Sequence, residues 1–339
     1  MNFKVTIGIE QLAFKAWGKF VEEHPNGNIF QTPYFYDVYN KTDKYTPVVI
    51  ACFRKEILVG ILQAVIQKEY KGLLGGLSAR AIIFGGPLVK DNNIEVFREI
   101  ITSYNKFIRK QVIYSQFRNL FETKHFRQDF ERNKFVSEDH LNIIVDLKLD
   151  EEKLWKNVHS KRRNEIRKAY KESAVFEIEQ NSNALKSTYN ILHEVYGRAQ
   201  LPFPEYDFFV NLFNTSTEKS KLLILVAKFQ NKIIGCMLAL AYKSTIYDFY
   251  AGSYSKFNKK HPNDLIPWEL FKWGKKNGYS IFDFGGAGKP DIPYGVREYK
   301  KKFGGEIVNF GRYEKIHNPF LYFIAKQGFA IWKKIQSFK

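Results

Sequence analysis

A short apolar strand over residues 281–284 runs straight into glycines at positions 285, 286 and 288. Shortly after it, a very basic segment over 297–302 ends at Phe303-Gly304-Gly305. Glycine lets a backbone turn sharply and approach a ligand closely. A strand, a tight loop and a basic helix in that order restrict the second half of the chain to an α/β arrangement, and such a strand end suits polar or anionic ligands. The glycine cluster alone would fit any turn; the basic segment close behind it makes the pattern specific.

The remaining sequence supplies the elements around this one. In the first part, residues 10–24 carry apolar positions at helical spacing. Thr32 followed by Pro33 reads as a helix start. Strands are expected over 46–53, 57–67 and 80–84, the first two as a hairpin about Arg54-Lys55-Glu56. A helix over 94–109 and strands over 112–117 and 141–147 complete this part. From Asp150 the character changes. A single helix over 154–171, dense in Lys and Arg, precedes a strand over 175–179 and helices over 183–198 and 206–213. A meander of three strands follows (221–229, 232–242, 246–254), then a helix over 262–277, the strand into the glycines, a short helix over 296–302 and a last strand over 306–313. The first part shows a looser version of the same order. We therefore expect domains over 1–150 and 151–315, with a separate helix over 316–339.

Composition narrows the classes. With 339 residues, 45% hydrophobic and 17% aromatic, the chain has material for two packed cores and is not disordered as a whole. Its charge of +18 favours anionic partners, with a solvated lysine surface as the plain alternative. Two cysteines, Cys52 and Cys236, both inside apolar runs, exclude a disulfide framework and fit buried small hydrophobes. No spacing of Cys and His suits a metal, so no metal or bound cofactor is expected. No Gly-x-Ser-x-Gly nucleophile motif occurs. No apolar run approaches ~20 residues and no signal-peptide core is present, so the expected location is cytoplasmic.

A three-strand meander, helix, strand, short helix and final strand, doubled in one chain, resembles the GNAT acyltransferase fold in tandem. In particular it resembles the Fem family of aminoacyl and acyl transferases, with a BioF2-like acetyltransferase domain in the second half. Three motifs carry the likeness: Ile29-Phe-Gln-Thr-Pro-Tyr-Phe35, Ser160-Lys-Arg-Arg-Asn-Glu-Ile-Arg-Lys-Ala169, and Phe282-Asp-Phe-Gly-Gly-Ala-Gly288 with Tyr299-Lys-Lys-Lys-Phe-Gly-Gly305. The helices after Leu154 are too short for the long helical arm of some Fem proteins. The resemblance implies an α/β fold of two mixed sheets flanked by helices. It implies transfer of an aminoacyl group from aminoacyl-tRNA to an amine of a UDP- or lipid-linked peptidoglycan or envelope precursor. It places Lys300 at the reaction centre. Gly285, Gly286, Lys289, Phe303 and Gly304 then become substrate-binding positions, and Gln31 and Tyr34 of the first motif fall on the acceptor side.

The residues themselves give a chemistry beside that likeness. Amide formation needs an amine that loses a proton, a carbonyl held close to it, and stabilised negative charge on the carbonyl oxygen. Lys300 would be a fixed cation for that oxygen, or one of three solvated lysines on a helix. Asp283, between Phe282 and Phe284, faces away from both. It would orient an amine or act as base, or else organise the glycine turn by accepting main-chain N–H groups. Tyr250 is a candidate cleft residue, with core packing as its alternative. Arg163, Arg167 and Lys171 stand four apart on one helix face, which is costly without an anion. A diphosphate or a tRNA backbone would answer it, as would plain solvation. Acetyl-CoA enzymes of this fold carry a glycine-rich loop for the pyrophosphate before the helix after the meander; here residues 253–264 contain no glycine and three lysines. That departure tilts the donor from acyl-CoA toward aminoacyl-tRNA.

An acyl-CoA-dependent N-acyltransferase acting on an amino sugar or amino acid is the second reading, and a non-catalytic nucleic-acid-binding module the third. The tail mixes Phe320, Tyr322, Phe323, Phe329 and Trp332 with Lys326, Lys333, Lys334 and Lys339, which suits either an anionic membrane face or docking on its own domain. The oligomeric state is not readable from the sequence.

Overall fold

The computed structural model describes residues 3–68 and 78–336, with side chains up to residue 327. The chain divides into two units. One comprises Met1–Asp139 together with Phe310–Lys339, the other His140–Asn309.

The first unit begins with strand β1 (Lys4–Ile7), helix α1 (Phe14–Glu23) and helix α2 (Pro33–Asn40). Thr32 caps α2, accepting from the N–H of Phe35, and Pro33 occupies the first helical position, where a missing N–H costs nothing. Strands β2 (Tyr45–Arg54) and β3 (Ile57–Gln67) form the expected hairpin. Then come β4 (Arg80–Phe84), β5 (Leu88–Val89), α3 (Ile94–Ile108), β6 (Tyr114–Arg118), α4 (Arg127–Arg132) and β7 (Val136–Glu138). Asn93 caps α3 through the N–H groups of Glu95 and Val96.

The second unit runs β8 (Leu141–Asp146), α5 (Glu151–Asn157), α6 (Ser160–Lys171), β9 (Val175–Glu179), α7 (Ser182–Arg198), α8 (Tyr206–Thr215), β10 (Ser220–Phe229), β11 (Lys232–Tyr242), β12 (Thr245–Ser253), α9 (Pro262–Lys276), β13 (Ile281–Gly286), α10 (Gly295–Lys301) and β14 (Glu306–Asn309). The chain then returns to the first unit with β15 (Arg312–Ile316) and α11 (Pro319–Gln336).

Among the described residues, the first sheet has the order β1-β2-β3-β4-β6-β15-β7, with β5 also on β3; the second has β14-β8-β13-β12-β11-β10-β9. Both are mixed: β4 and β6 run parallel, as do β12 and β13, while the other pairs are antiparallel. Each core lies where a helix covers the sheet. In the first unit Phe97, Ile100 and Tyr104 of α3 meet Ile50, Leu62 and Ile83; in the second, Leu265, Ile266 and Phe271 of α9 meet Leu225, Ala239, Phe282 and Phe284.

Three expectations are corrected. The helix over 154–171 is two helices, broken at Val158 and His159. Val158 is buried, and the His159 N–H donates to the carbonyl of Lys302 while its ring accepts from the N–H of Lys161. The strand over 141–147, read as closing the first domain, is β8 of the second sheet, between β13 and β14. The last strand over 306–313 splits about Gly311, whose φ of 67° ends β14 and lets β15 enter the other sheet beside β6 and β7. Alternation alone cannot reveal that a run of strand residues serves two sheets. The tail is helical, as expected, but the side chains of Phe329, Trp332, Lys333, Lys334 and Lys339 lie outside the described residues.

Candidate active site

Strand β12 pairs in parallel with β13 at only three positions, Thr245 with Ile281, Ile246 with Phe282 and Tyr247 with Asp283. Beyond them β12 continues to Ser253 on β11 and β13 continues to Gly286, no longer paired with each other. A bulge in β12 accompanies the split: Leu238 faces Tyr250 while Ala239 faces Asp248, leaving Phe249 as the extra residue. The corresponding parallel pair of the first unit stays zipped over five pairs from Arg80–Tyr114 to Phe84–Arg118. The gap between strands therefore belongs to the second unit.

Lys300 fills this gap. It reaches from α10 to donate to the main-chain carbonyls of Phe284 and, at 3.3 Å, of Gly286. Both carbonyls lie beyond Asp283, the last position at which β13 pairs with β12. An ammonium has three protons, so one remains for a ligand. Lys300 also draws on two carboxylates. Burial raises the Asp248 carboxyl above its usual range, and the Lys300 charge works against that rise. Burial pushes Asp283 up to about 6; the N–H of Gly285, Asn142 and Lys300 pull it back, and Asp248 adds to the rise.

Asp283 is 3% exposed and its Oδ1 accepts from the Gly285 N–H at 2.7 Å and from Asn142 Nδ2 at 3.4 Å. That is the turn-organising arrangement. Gly285 needs its φ of 69° for the turn. Asp248 is the carboxylate in the gap itself, and the sequence reading passed over it in favour of Tyr250. The bulge explains the miss, because strict alternation assigns one face to Asp248 and Tyr250 together. Burial, then the charge of Asp248 and the Tyr294 phenol, raise the Tyr196 phenol on α7 above its ordinary range. Tyr250 turns the other way, into an aromatic cluster. It meets Phe203 edge-on at 5.3 Å and Tyr196 at 5.4 Å, and Phe203 stacks on Tyr196 at 5.0 Å.

The remaining predicted residues have plainer work. Phe303 is 1% exposed, packed on Phe271, Phe284 and Tyr299. Gly304 has φ 85°, and a Cβ there would lie 2.7 Å from main-chain atoms of Asn157. Both positions are structural, so their expected substrate contact is corrected to packing. Gly286 serves through its carbonyl. Lys289 is exposed, and its carbonyl accepts from Arg297, whose guanidinium also holds the carbonyl of Ile292 at 2.8 Å. Arg297, unassigned from sequence, thus clasps the glycine loop. Arg163 is half-buried, and Arg167 lies over the Trp155 ring at 5.4 Å and donates to Asn164. Neither touches the gap's residues; Arg167, but not Arg163, lines an open groove along α6 with Lys161, Glu165, Lys168 and Lys171. In the first unit Gln31 is fully buried. Its amide donates to the carbonyls of Gln63 and Phe84 and accepts from the Gln63 N–H, so it offers nothing to an acceptor. Tyr34 is 7% exposed against Phe35, which gives it too a packing role.

The stretch that would grip a CoA pyrophosphate is built differently here. Residues Ser255–Lys260 form a 3₁₀ turn in which the N–H of Phe257 bonds to Tyr254 and that of His261 to Asn258. Helix α9 begins with Pro262, which has no N–H, and the N–H groups of Asp264 and Leu265 return to His261. Asp264 in this first turn is 6% exposed and ion-paired with Arg162. A helix start of this kind opposes a phosphate with a carboxylate instead of free amides.

Residues 156–301, from α5 to α10, match the family model described as Acetyltransferase (GNAT) domain. The matched stretch lies within the second unit, whose sequence is thus similar to a GNAT domain. The crystal structure of FemX is similar over 96% of this chain and 99% of its own, with a TM-score of 0.73 at 15% identity. A tandem GNAT protein from the clavulanic acid biosynthesis pathway is similar over 94% of this chain and 99% of its own, TM-score 0.58 at 7% identity. L-PGS from Bacillus licheniformis is similar over 78% and 85%, TM-score 0.51 at 18% identity. At these identities the likeness is one of fold: two GNAT-like units in tandem. No curated protein matches the chain in sequence.

Proposed function

We propose that this protein is a Fem-like aminoacyltransferase of the GNAT type that moves an aminoacyl group from aminoacyl-tRNA to an amine of a cell-envelope precursor. The observation that carries the reading is Lys300, anchored by two strand carbonyls inside the gap of the second sheet with one N–H to spare. In the reaction the acceptor nitrogen attacks the ester carbonyl carbon. The oxygen gains negative charge beside Lys300, the bond to the tRNA ribose oxygen breaks, and the proton lost by the amine ends on that oxygen. In this reading Asp248, just past the last β12–β13 pair, takes the proton first. A preorganised cation that costs no rearrangement as charge develops is worth about 10²–10³ in rate.

The donor assignment rests on the start of α9, where Pro262 has no N–H, the N–H groups of Asp264 and Leu265 return to His261, and the Asp264 carboxylate sits. The acceptor assignment rests on the tandem fold shared with FemX and on the basic groove of α6, which suits a diphosphate or a nucleic-acid backbone.

The test is product mass after incubation with UDP-MurNAc-pentapeptide and either a pool of charged tRNAs or acetyl-CoA. A gain of one amino-acid residue from the charged pool, lost in Lys300→Ala, is the expected result. A gain from acetyl-CoA alone would assign the protein to the acyl-CoA enzymes.

A further inference from the structure

The first turn of α6, Ser160 to Arg163, holds three cations and no carboxylate. The N-terminus of a helix is its positive end, so cations there lower its stability. Arg163, Arg167 and Lys171 then follow at i, i+4 spacing, which is unfavourable for like charges. The carboxylates on or against this helix are already engaged. Glu165 lies 2.7 Å from His261 Nδ1 and 3.4 Å from Lys168, Glu172 lies 2.6 Å from Lys260, and Glu269 lies 2.7 Å from Lys272, while Asp264 holds Arg162. Lys161, Arg163 and Lys171 are left with no ion-pair partner among the described residues. A helix built against its own electrostatics in this way is relieved by an anion from outside.

The spacing selects the anion. Lys161, Arg167, Lys168 and Lys171 line one open groove. Arg167 is held in place there, with its guanidinium over the Trp155 ring at 5.4 Å and a hydrogen bond to Asn164 at 3.2 Å. The axial distance from Lys161 to Lys171 is about 15 Å. A diphosphate, whose two phosphorus atoms share one bridging oxygen, is too short to meet both ends. A nucleic-acid strand, with a charge at every nucleotide, is long enough. The positive charge also continues toward the reaction centre. At the start of α6 the His159 N–H donates to the carbonyl of Lys302 at 2.9 Å, which ties this helix to the end of α10. There Lys301 and Lys302 have no ion-pair partner among the described residues, and Lys300 enters the gap.

We propose that α6 and the end of α10 form the face on which the phosphate backbone of an RNA strand lies, with its acylated end toward Lys300. The identity of that RNA as the donor rests on the aminoacyl-tRNA reading of the protein. The acceptor's diphosphate is then held elsewhere.

Fluorescence anisotropy of labelled, uncharged tRNA with the full chain, across a salt series, tests this. The expected result is binding whose log–log salt slope flattens by about two in Lys161→Glu/Lys171→Glu, with Kd raised at least about tenfold. Lys15→Glu/Lys106→Glu, an exposed pair in the first unit, removes the same charge and should leave Kd nearly unchanged. Unchanged thermal melting verifies folding, and the milder Lys161→Gln/Lys171→Gln serves where the reversal destabilises α6. Absence of RNA binding overturns the proposal, as does an equal loss in the Lys15 and Lys106 pair, which assigns the binding to overall charge. Intact RNA binding with weakened binding of UDP-MurNAc-pentapeptide in the α6 variants overturns it in favour of a diphosphate. RNA binding through α6 without aminoacyl transfer leaves this face standing and removes the transferase reading; transfer with RNA binding indifferent to α6 does the reverse.

Discussion

Lys300 donates to the main-chain carbonyl of Phe284, which lies just past the last residue at which β12 and β13 pair. A cation is therefore fixed by backbone atoms of one strand at the point where its neighbour departs. Such a position is set by the fold, and a substitution there should alter chemistry more than stability. Lys300→Ala is expected to lower kcat by about 10²–10³ with a small change in KM, measured in the tRNA-dependent assay. Lys300→Arg keeps the charge, but its planar fork cannot reproduce the same two carbonyl contacts, and it should rescue little.

Asp248 and Asp283 should separate by pH profile. If Asp248 receives the amine proton, Asp248→Asn removes the acid limb of the kcat profile and lowers the plateau. Asp283→Asn still accepts the Gly285 N–H through its amide oxygen, so it should retain most of the plateau. An unchanged limb in Asp248→Asn would assign the proton to another group.

Stability should also respond to pH with opposite signs in the two units. Asp283 has its folded pKa raised to about 6, so the folded state binds its proton more tightly than the unfolded chain does. Its contribution is full below the unfolded value near 4 and is lost as pH rises through about 6, by on the order of 3 kcal/mol. Asp283→Asn should melt higher than the parent protein at pH 7.5 and no higher at pH 4. His317 is the reverse. Burial, followed by the charge of Lys315, lowers it to about 4, and its Nε2 lies 2.8 Å from the buried Ser115 hydroxyl, which in turn accepts from Tyr104. Its contribution is full above the unfolded value near 6.5 and is lost as pH falls toward 4. His317→Asn should flatten that acid limb in a thermal melt.

The Arg162–Asp264 pair is 16% and 8% exposed in its side chains, and the Arg162 guanidinium also lies over the Tyr299 ring at 5.1 Å. Removing one partner strands a buried charge. Asp264→Ala should cost about 3–5 kcal/mol, read by chemical denaturation. The double change Arg162→Met/Asp264→Leu should recover much of it.

Gly304→Ala is expected to destabilise by at least ~1 kcal/mol, because the φ of 85° resists any Cβ and the added atom meets Asn157. A chain ending at Asn309 should lose the first unit's cooperative unfolding, since β15 is the strand that joins β6 to β7.

Much of the site was legible because local rules decide it. The glycine loop and the basic α10 follow from residues close in sequence, while Lys300 was singled out by the resemblance to the Fem family. Element order alone led to two sheets of the acyltransferase type. Asp248 was not legible, because its direction depends on a one-residue bulge against β11 that leaves no local mark. Phe303 and Gly304 were expected as ligand contacts through the resemblance, whereas glycine next to an aromatic fits a close helix contact as well as a binding loop.

Sequence by itself determined most of the longer helices and strands, since periodicity and the start signal of Thr32 before Pro33 act over a few residues. It also determined the fixed positive charge near the glycine turn. Only tertiary structure decided which sheet each strand joins. Strands β7 and β8 are separated by Asp139 and His140, and β14 and β15 by Phe310 and Gly311, yet each pair is divided between two sheets. Tertiary structure likewise opened β12 from β13 and set Lys300 in the space. Those outcomes depend on hydrogen-bond partners distant in sequence, which a strand's own alternation of side chains cannot specify.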